Sequence, residues 1–272
     1  MIASILSFAQ NFAWNILWVG SVLLGLELLF PASRYGLYSR LRGYFFWLVN
    51  IAITATALTV FASYFSKLGV HPFVTFRPFA FLESGIAWLR PVELVVALIL
   101  GNWVIMFFYY WFHRLQHASR VLWRFHRVHH SIREMSALNS NHHFTEEIFK
   151  IPFVVLPLSL LVGVDTGPTP WIIATIFGMQ ALFEHSCTRL NLGLLRYVIN
   201  DNRFHRIHHS IEERHRDRNF CSFTPIWDIV FGTAHFPRAD EWPETGLEDL
   251  PEPTNLRALL FGPFAKGAAG AL

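Results

Sequence analysis

The sequence is poor in charge and in cysteine, and each shortage excludes classes of protein. Asp, Glu, Lys and Arg make up 15% of the 272 residues, against 53% hydrophobic residues, whereas soluble domains are about a quarter charged. The composition therefore excludes an ordinary soluble globule, and the high hydrophobicity excludes intrinsic disorder. The two cysteines, Cys187 and Cys221, are too few for a disulfide scaffold, a four-cysteine zinc site or a four-cysteine iron–sulfur cluster.

Basic residues are missing from the N-terminal region. No Lys or Arg precedes Arg34, so the N-terminus lacks the charged region of a cleavable signal peptide. A helix needs about 20 apolar residues to cross a hydrocarbon core of about 30 Å. Three stretches reach that length and predict retained membrane spans, namely residues 12–30, 44–65 and 92–112.

A fourth apolar region, residues 148–184, is interrupted near its middle by Asp165, Gly167 and two prolines. Each half is short for a full span, and Pro and Gly at the apex favour a turn. The pattern predicts a helical hairpin that enters and leaves the membrane on one side. His143 and His185, at the two ends of the hairpin, would then lie on the same face.

The distribution of basic residues predicts the orientation. Most of the 22 Lys and Arg flank the histidine-rich segments, whereas the opposite side receives only Lys67, Arg77 and Arg90. By the positive-inside rule, the histidines lie on the cytoplasmic face, and the N-terminus and the loop 67–90 lie opposite. Anionic lipid beside this face explains the basic isoelectric point near 9.0, and we expect no nucleic-acid partner.

Most of the fourteen histidines fall into three clusters. The first has the spacing H-x-x-x-H at the end of the third predicted span, which places both imidazoles on one helix face. The other two have the spacing H-x-x-H-H, in which three imidazoles fan out over one side of a helix. Two such fans that face each other would enclose two metal ions a few ångströms apart. The members are His113 and His117, then His126, His129 and His130, then His205, His208 and His209.

Other residues are candidates for the same site. His185 is a predicted ligand, and one of His142 and His143 is expected to point at the site, with Glu146 orienting an imidazole from behind. Three further residues are candidate acceptors for imidazole N–H groups, although helix capping or a turn also explains them: Asp217, Asn219 and Asp228. Three histidines without partner spacing are expected to be structural or surface residues: His71, His215 and His235.

The donor set leaves the identity of the metal open. Imidazole suits zinc, copper, iron and nickel alike. The number of histidines exceeds the three or four of a mononuclear zinc site and fits two metals with four or five imidazoles each. One alternative is a membrane protein that binds or passes metal without turnover, and another is a hydrolytic dizinc enzyme. Transporters place ionisable residues inside their spans, and the near absence of such residues here argues against conduction.

The combined motifs resemble the sterol desaturase / fatty acid hydroxylase superfamily of integral-membrane non-haem diiron enzymes. The resemblance covers residues 109–233. It rests on the three histidine clusters in this order and on two later runs, D-R-N-F at 217–220 and W-D-I-V-F-G-T at 227–233. The absence of a histidine at Arg189, where some fatty acid hydroxylases have one, favours the sterol-desaturase branch.

The resemblance implies the metal and its ligands. Two iron ions are expected, with zinc able to replace them after overexpression. His143 matches a family motif R-x-H-P-x-E, which reads N-H-H-F-T-E here, so the choice between His142 and His143 stays open. The implied ligand set is His113, His117, His126, His129, His130, His143, His185, His205, His208 and His209, and the eight cluster histidines among them form the catalytic centre.

The expected architecture is an all-α integral membrane protein with about three transmembrane helices and a helical hairpin. A cytoplasmic helical cap holds the binuclear metal site. Residues 1–112 form the spans and an interfacial loop, residues 113–236 the histidine-rich catalytic region, and residues 237–272 an irregular C-terminal strap. The membrane would be a bacterial inner membrane or an intracellular eukaryotic membrane.

The reaction implied by the resemblance is O2-dependent hydroxylation or desaturation of a C–H bond in a membrane lipid. A sterol, a fatty acyl chain, a sphingoid base, a carotenoid and an ether lipid are all candidate substrates. The aromatic run 107–112 is placed to line the route to the metal, although an ordinary interfacial belt explains it equally well. Since the chain has no G-x-G-x-x-G fingerprint, a ferredoxin, rubredoxin or b-type cytochrome should supply the electrons. We expect this carrier to dock on the arginine-rich face formed by Arg124, Arg127, Arg203 and Arg206.

Overall fold

Helices dominate the computed structural model, which describes residues 2–69, 71–76, 88, 90–164 and 170–264. Three long helices come first: α1 (Ile2–Leu29), α2 (Leu37–Lys67) and α3 (Arg90–Ala118). Shorter helices follow: α4 (Arg120–His130), α5 (Thr145–Lys150), α6 (Leu156–Leu161), α7 (Pro170–Phe183), α8 (Asn202–His208), α9 (Ile226–Val230) and α10 (Leu256–Phe261). The strands are β1 (Val74–Phe76) and β2 (Val162–Val164), three residues each. The expectation of a helical fold is confirmed, with this one small strand pair added to it.

One helix among those described is long and apolar enough to cross a membrane, and it is α2. The apolar part of α1, Ile16–Leu29, is shorter. The sequence predicted three spans, so α2 is the clear candidate and the number of spans stays a prediction. The Phe-rich loop between β1 and α3 lies largely outside the described residues.

Two helical segments occupy the region of the predicted hairpin. The first leg runs through α5, a π-helical turn at Ile151–Val155 and α6, and the second leg is α7. The π turn contains Pro152, which has no N–H to donate to the helix. Residues 165–169, at the apex, lie outside the described residues. Because β2 pairs in parallel with β1, the apex end of the hairpin reaches the segment that follows α2.

Two of the helices that carry histidine clusters begin at side-chain caps. Ser119 separates α3 from α4 and accepts a hydrogen bond from the N–H of Leu122. Asp201 accepts one from the N–H of Phe204 at 2.9 Å at the start of α8. Such caps satisfy N–H groups that have no partner within the helix. The chain can therefore turn sharply between the H-x-x-x-H pair and the first H-x-x-H-H run.

A buried ion pair attaches α1 and α2 to the loops around the histidines. Glu27 of α1 pairs with Arg40 of α2, and both side chains are buried. The other oxygen of Glu27, Oε1, accepts hydrogen bonds from the backbone N–H of Ala137 at 2.8 Å and of Cys187 at 3.0 Å. These extra bonds offset the cost of burying the charges. They also fix the loops that carry His142 and follow His185.

A glycine permits the close approach of one of these loops. A Cβ atom on Gly43 of α2 would lie 2.3 Å from the carbonyl oxygen of Leu138 and 2.5 Å from the Cα of Asn139. Any larger residue would therefore push the loop 138–139 away from α2. The preceding loop residues would move with it, and so would Asn141 and His142.

Residues of the C-terminal strap bind three of the arginines that we expected on a docking face. Arg206 is buried, stacks on Trp242 at 4.4 Å and donates to the carbonyl of Pro243. Arg127 is buried and pairs with Asp249. Arg203 donates to carbonyl oxygens of the same strap. The expected face is therefore not fully exposed, because Arg127 and Arg206 are buried and Arg124 and Arg203 are half-buried.

Candidate metal centre

Nine histidines gather into two groups behind the strap. Within each group, the available ring nitrogens lie within 4.8 Å of one another. The first group contains His113, His117, His126, His130 and His208, and the second contains His129, His185, His205 and His209. All eight cluster histidines are present, together with His185. All nine are buried except His117, whose side chain is 11% exposed.

Each H-x-x-H-H run contributes to both groups. In α4 the first and last histidines, His126 and His130, join the first group, and His129 between them joins the second. At α8 the arrangement is reversed, since His208 joins the first group and the histidines on either side of it join the second. The i+3 and i+4 side chains lie on opposite sides of the i position on a helix. The two fans thus face each other and divide into two sets of donors.

The nitrogen spacing within each group fits a metal ion. Two nitrogens bound at about 2.1 Å and at right angles lie about 3.0 Å apart, whereas a tetrahedral site would separate them by about 3.4 Å. In the first group the Nε2–Nε2 distances are 2.9 Å for His113–His126, 3.1 Å for His126–His130 and 3.0 Å for His113–His208. In the second group they are 3.1 Å for His129–His185, 3.0 Å for His185–His205 and 3.1 Å for His205–His209. These distances are compatible with nitrogens that bind one metal ion in each group.

Hydrogen bonds on the other ring nitrogens show that the Nε2 atoms carry lone pairs. In the first group, His113 donates its Nδ1–H to the carbonyl of Phe220 at 2.6 Å, and His208 donates its Nδ1–H to the carbonyl of Arg218 at 2.8 Å. The Nε2 atoms of these two neutral rings would repel each other at 3.0 Å unless a cation lay between them. Ligating histidines commonly donate their other N–H to a carbonyl in this way.

The second group repeats this arrangement. His129 donates its Nδ1–H to the carbonyl of Asn141 at 3.3 Å, and His185 donates to the carbonyl of Ala181 at 2.8 Å. Their Nε2 atoms nevertheless lie 3.1 Å apart. Protonation of His129 does not remove the repulsion between these two lone pairs, because burial and neighbouring imidazoles hold the pKa of His129 well below its ordinary value. A metal ion in each group would bind the facing Nε2 lone pairs and remove the repulsion in both groups. The residues therefore fit a binuclear centre.

Glu146 lies behind the first group, as the sequence predicted. Its Oε2 atom accepts the Nδ1–H of His126 at 2.8 Å and the side-chain N–H of Gln116 at 2.7 Å. The carboxylate is 1% exposed. The carboxylate therefore orients the imidazole of His126. Burial lowers the pKa of the His126 ring to about 4.

The structure places His142, and not His143, beside the histidine groups. The ring of His142 stacks on that of His129 with 3.6 Å between centroids, and its Nδ1 lies 3.2 Å from the Glu146 carboxylate. His143 points elsewhere, with hydrogen bonds to the hydroxyl of Thr145 at 2.8 Å and the carbonyl of Leu260 at 3.2 Å. The implied ligand set contained His143, which neither group includes. Neighbouring residues on a loop point in different directions, and here a contact with the strap determines which of the two faces away.

One of the three candidate acceptors for imidazole N–H groups contacts a histidine directly. Asp217 lies 3.3 Å from the Nδ1 of His117. Asn219 instead binds the backbone of Phe204 and His235. Asp217 and Asn219 both have positive φ angles, 56° and 58°. Asn and Asp adopt this conformation in tight turns, where their side chains commonly bind neighbouring backbone groups, as that of Asn219 does here.

Asp228 acts on the centre through the backbone. Its carboxylate accepts hydrogen bonds from the N–H groups of Phe220 and Cys221, both at 2.8 Å, and from the hydroxyl of Thr233 at 2.7 Å. The carbonyl of Phe220 accepts the N–H of His113. Of the two roles considered for Asp228, the structure therefore supports the backbone role, with Phe220 between its carboxylate and the imidazole of His113.

Two histidines that we expected to be structural form a separate cluster with an acidic residue. His215 and His235 donate to the two oxygens of Glu241 at 3.0 and 3.2 Å. Burial alone would raise the pKa of Glu241, but hydrogen bonds from the backbone of Arg238 and from the two histidines lower it to about 2. These bonds attach the strap to His215 and His235 of the histidine-rich region. The sequence offered no signal for this contact because Glu241 is distant from His215 along the chain.

The aromatic run 107–112 packs largely against other elements. Phe107 contacts Trp227 at 5.0 Å between ring centroids, and Tyr110 stacks on Phe231 at 5.1 Å. Tyr109 is the member beside the metal centre, with its ring 5.4 Å from that of His113. Tyr110 and Phe112 are therefore core residues, whereas Tyr109 contacts a histidine of the first group.

Comparison with known proteins adds a family to this geometry. A family model described as fatty acid hydroxylase matches residues 98–233, half of the chain. Alkylglycerol monooxygenase of Homo sapiens is 29% identical over 128 residues, which are 47% of this chain and 28% of that protein. Ornithine lipid hydroxylase of Rhizobium tropici is 30% identical over 181 residues, 66% of this chain and 50% of that protein. A very-long-chain aldehyde decarbonylase of Oryza sativa subsp. japonica is 27% identical over 177 residues, 61% of this chain and 27% of that protein.

The matches cover between about a quarter and a half of the length of these curated relatives. No solved structure matches the chain at a significant level. The matched region contains all nine histidines of the two groups, the capped helices that carry them and the turn around Asp217. The resemblance inferred from the histidine motifs is confirmed, and the chain belongs to the fatty acid hydroxylase family.

Proposed function

We propose that this protein is a membrane-bound diiron oxygenase that hydroxylates a C–H bond of a lipid. The observation that carries the proposal is the division of nine histidines into two groups in which Nε2 lone pairs face each other about 3 Å apart. Relatives named as a monooxygenase of alkylglycerol and a hydroxylase of an ornithine lipid support a lipid as the substrate. The first group would hold one iron and the second group the other.

Iron bound by neutral imidazoles would supply the electrons with which O2 is activated. The chain has to hold the two ions, exclude water and present the lipid. Burial of eight of the nine histidines limits the access of water to the reacting atoms. Carbonyl groups, Glu146 and Asp217 accept the outer N–H groups of the rings and thereby fix their orientation.

Exposed apolar side chains support membrane insertion. On α1, α2 and α3 they point outward over much of each helix, where a soluble protein would present polar groups. Examples are Trp14, Leu28, Phe45, Leu48, Val96, Leu100 and Val104. We propose that these helices lie in the bilayer and that the histidine groups lie at its cytoplasmic face. The lipid would then reach the centre from the membrane side, past Tyr109.

The identity of the lipid and the outcome of the reaction are separate parts of the proposal. Hydroxylation transfers one oxygen atom of O2 to the substrate and releases the other as water, with two electrons and two protons supplied from outside. Desaturation uses the same site and differs in the fate of the substrate after loss of the first hydrogen. We favour hydroxylation because two of the relatives are named for it, and the decarbonylase shows that relatives bear other activities.

A separate electron carrier is part of the proposal. A ferredoxin, a rubredoxin or a b-type cytochrome would deliver the electrons. The arginine face inferred from the sequence is a less favourable docking site than expected, since Arg127 and Arg206 are buried and Arg203 binds carbonyl groups of the strap. The carrier would therefore approach the outer surface of the strap and cap.

Isotope labelling tests the proposed reaction. Cells that express the protein, and cells that express the His129→Ala variant, would be grown under 18O2 and their lipids compared by mass spectrometry. We expect a hydroxylated lipid that contains 18O only in cells with the unaltered protein. A product formed equally without O2, or labelled only from water, would contradict the proposal. Two bound metal ions without any O2-dependent product would instead favour a metal-handling protein.

A further inference from the structure

A cavity connects the first histidine group with the outer surface of the cap. Its volume is about 730 Å³. His117, His130 and His208 of the first group line its inner part. Segments of the strap and of the turn after α8 form its outer part, including Glu213 and Glu248. None of the four histidines of the second group lines it.

The wall of the cavity is rich in negative charge. Five carboxylates line it, against the guanidinium groups of Arg127 and Arg216. Arg127 is itself paired with one of these carboxylates, Asp249. The carboxylates are Glu212, Glu213, Asp217, Glu248 and Asp249, and all except Glu212 belong to exposed residues. A cleft lined by one sign of charge concentrates ions of the opposite sign.

An imidazole nitrogen without a hydrogen-bond partner lies at the inner end of this cavity. The Nε2 atom of His117 is buried and makes no hydrogen bond. On the other side of the ring, Nδ1 lies 3.3 Å from Asp217, which is 63% exposed and lines the same cavity. Asp217 thus stands between the outer carboxylates and the imidazoles, in a backbone conformation with φ of 56°. A divalent cation would pass from carboxylate oxygens to imidazole nitrogens along this path.

We propose that this cavity is the port through which divalent metal ions enter the binuclear centre. The inference rests on the proposed metal centre, because it assigns a route to the ions that the centre holds. Entry of a lipid or of O2 explains the cavity less well, since neither is attracted by carboxylates. The second group would receive its ion through the first, because histidines of the two groups alternate along the same two helices. The alternating residues are His126, His130 and His208 of the first group and His129, His205 and His209 of the second.

The rate of metal uptake tests the port. The intact chain in detergent would be stripped of metal with a chelator and mixed with Co²⁺, whose visible absorption bands appear as imidazoles bind. The test variant is Glu213→Gln with Glu248→Gln, and the matched control is Asp240→Asn with Glu244→Gln. The control removes the same charge from two exposed residues that do not line the cavity. A third variant, Ala118→Trp, narrows the cavity at an exposed lining residue without changing its charge.

We expect the test variant to take up Co²⁺ roughly tenfold more slowly at low salt, with the final stoichiometry unchanged. The difference should shrink as ionic strength rises. Ala118→Trp should slow both uptake and release to a chelator, and the control should behave as the unaltered protein. Equal uptake rates for the test variant and the unaltered protein, with the same salt dependence, would overturn the port. Failure of the unaltered protein to bind Co²⁺ at all would instead overturn the metal centre.

Discussion

The Nε2 atoms of His113 and His208 lie 3.0 Å apart although each ring donates its Nδ1–H to a carbonyl. Two neutral imidazoles cannot form a hydrogen bond to each other in this state. Burial and nearby imidazoles lower the pKa of both rings, which disfavours protonation as a remedy. A bound cation is the simplest way for these two residues to coexist.

Loss of the Glu146 charge should weaken metal binding. In Glu146→Gln, the amide oxygen is a weaker acceptor than the carboxylate for the N–H of His126. We expect the affinity for metal to fall by about 10- to 100-fold, the effect typical of groups that orient a ligand. Competition with a chelator measures this affinity. Glu147→Gln is the matched control, because Glu147 pairs with Lys150 at 2.7 Å and touches no histidine of either group. Equal losses in both variants would contradict the assigned role.

Asp228 should stabilise the fold as well as the centre. Asp228→Asn replaces one acceptor oxygen with an amide that faces the N–H groups of Phe220 and Cys221. An unsatisfied buried N–H costs about 1–3 kcal/mol, so thermal unfolding in detergent should occur at a lower temperature. Asp240→Asn, at an 83% exposed side chain, should leave the unfolding temperature unchanged. A stable Asp228→Asn variant would show that the carboxylate is dispensable.

Acid should release the strap from the cap near Glu241. The pKa of this carboxyl is lowered from 4.5 to about 2 in the folded protein. Its contribution to stability is therefore complete above pH 4.5 and is lost as the pH falls toward 2. Amide hydrogen exchange of residues 238–242, corrected for the intrinsic rate at each pH, measures the release. Glu241→Gln should remove this pH dependence, and Asp240→Asn should keep it. A flat profile in the unaltered protein would contradict the prediction.

The membrane orientation can be tested by cysteine labelling. Both native cysteines, Cys187 and Cys221, are buried and should not react. Lys67→Cys marks the far end of α2, and Glu248→Cys marks the strap over the histidine groups. A membrane-impermeant reagent should reach position 67 only from the side opposite the cytoplasm and position 248 only from the cytoplasm. Labelling of both from the same side would contradict the proposed orientation.

Local periodicity predicted much of the centre. The spacing H-x-x-H-H places three side chains on one side of a helix whatever the rest of the fold does. The facing fans in α4 and α8 follow from that spacing. The place of His185 in the second group agrees with the expectation that it is a ligand.

The features that sequence reasoning missed depend on contacts between distant segments. Whether His142 or His143 faces the groups is decided by the strap, through the carbonyl of Leu260. The arginines that follow the first histidine of each run looked like a basic surface, but Arg127 and Arg206 bind strap residues that come much later in the chain. No local pattern encodes such partners.

Metal content is the most direct test of the binuclear centre. We expect two metal ions per chain, measured by elemental analysis against protein concentration. His113→Ala should remove the ion of the first group, His205→Ala should remove the ion of the second, and His143→Ala should retain both, because His143 lies outside the two groups. One ion per chain in the unaltered protein, or unchanged content in His113→Ala and His205→Ala, would contradict the binuclear centre.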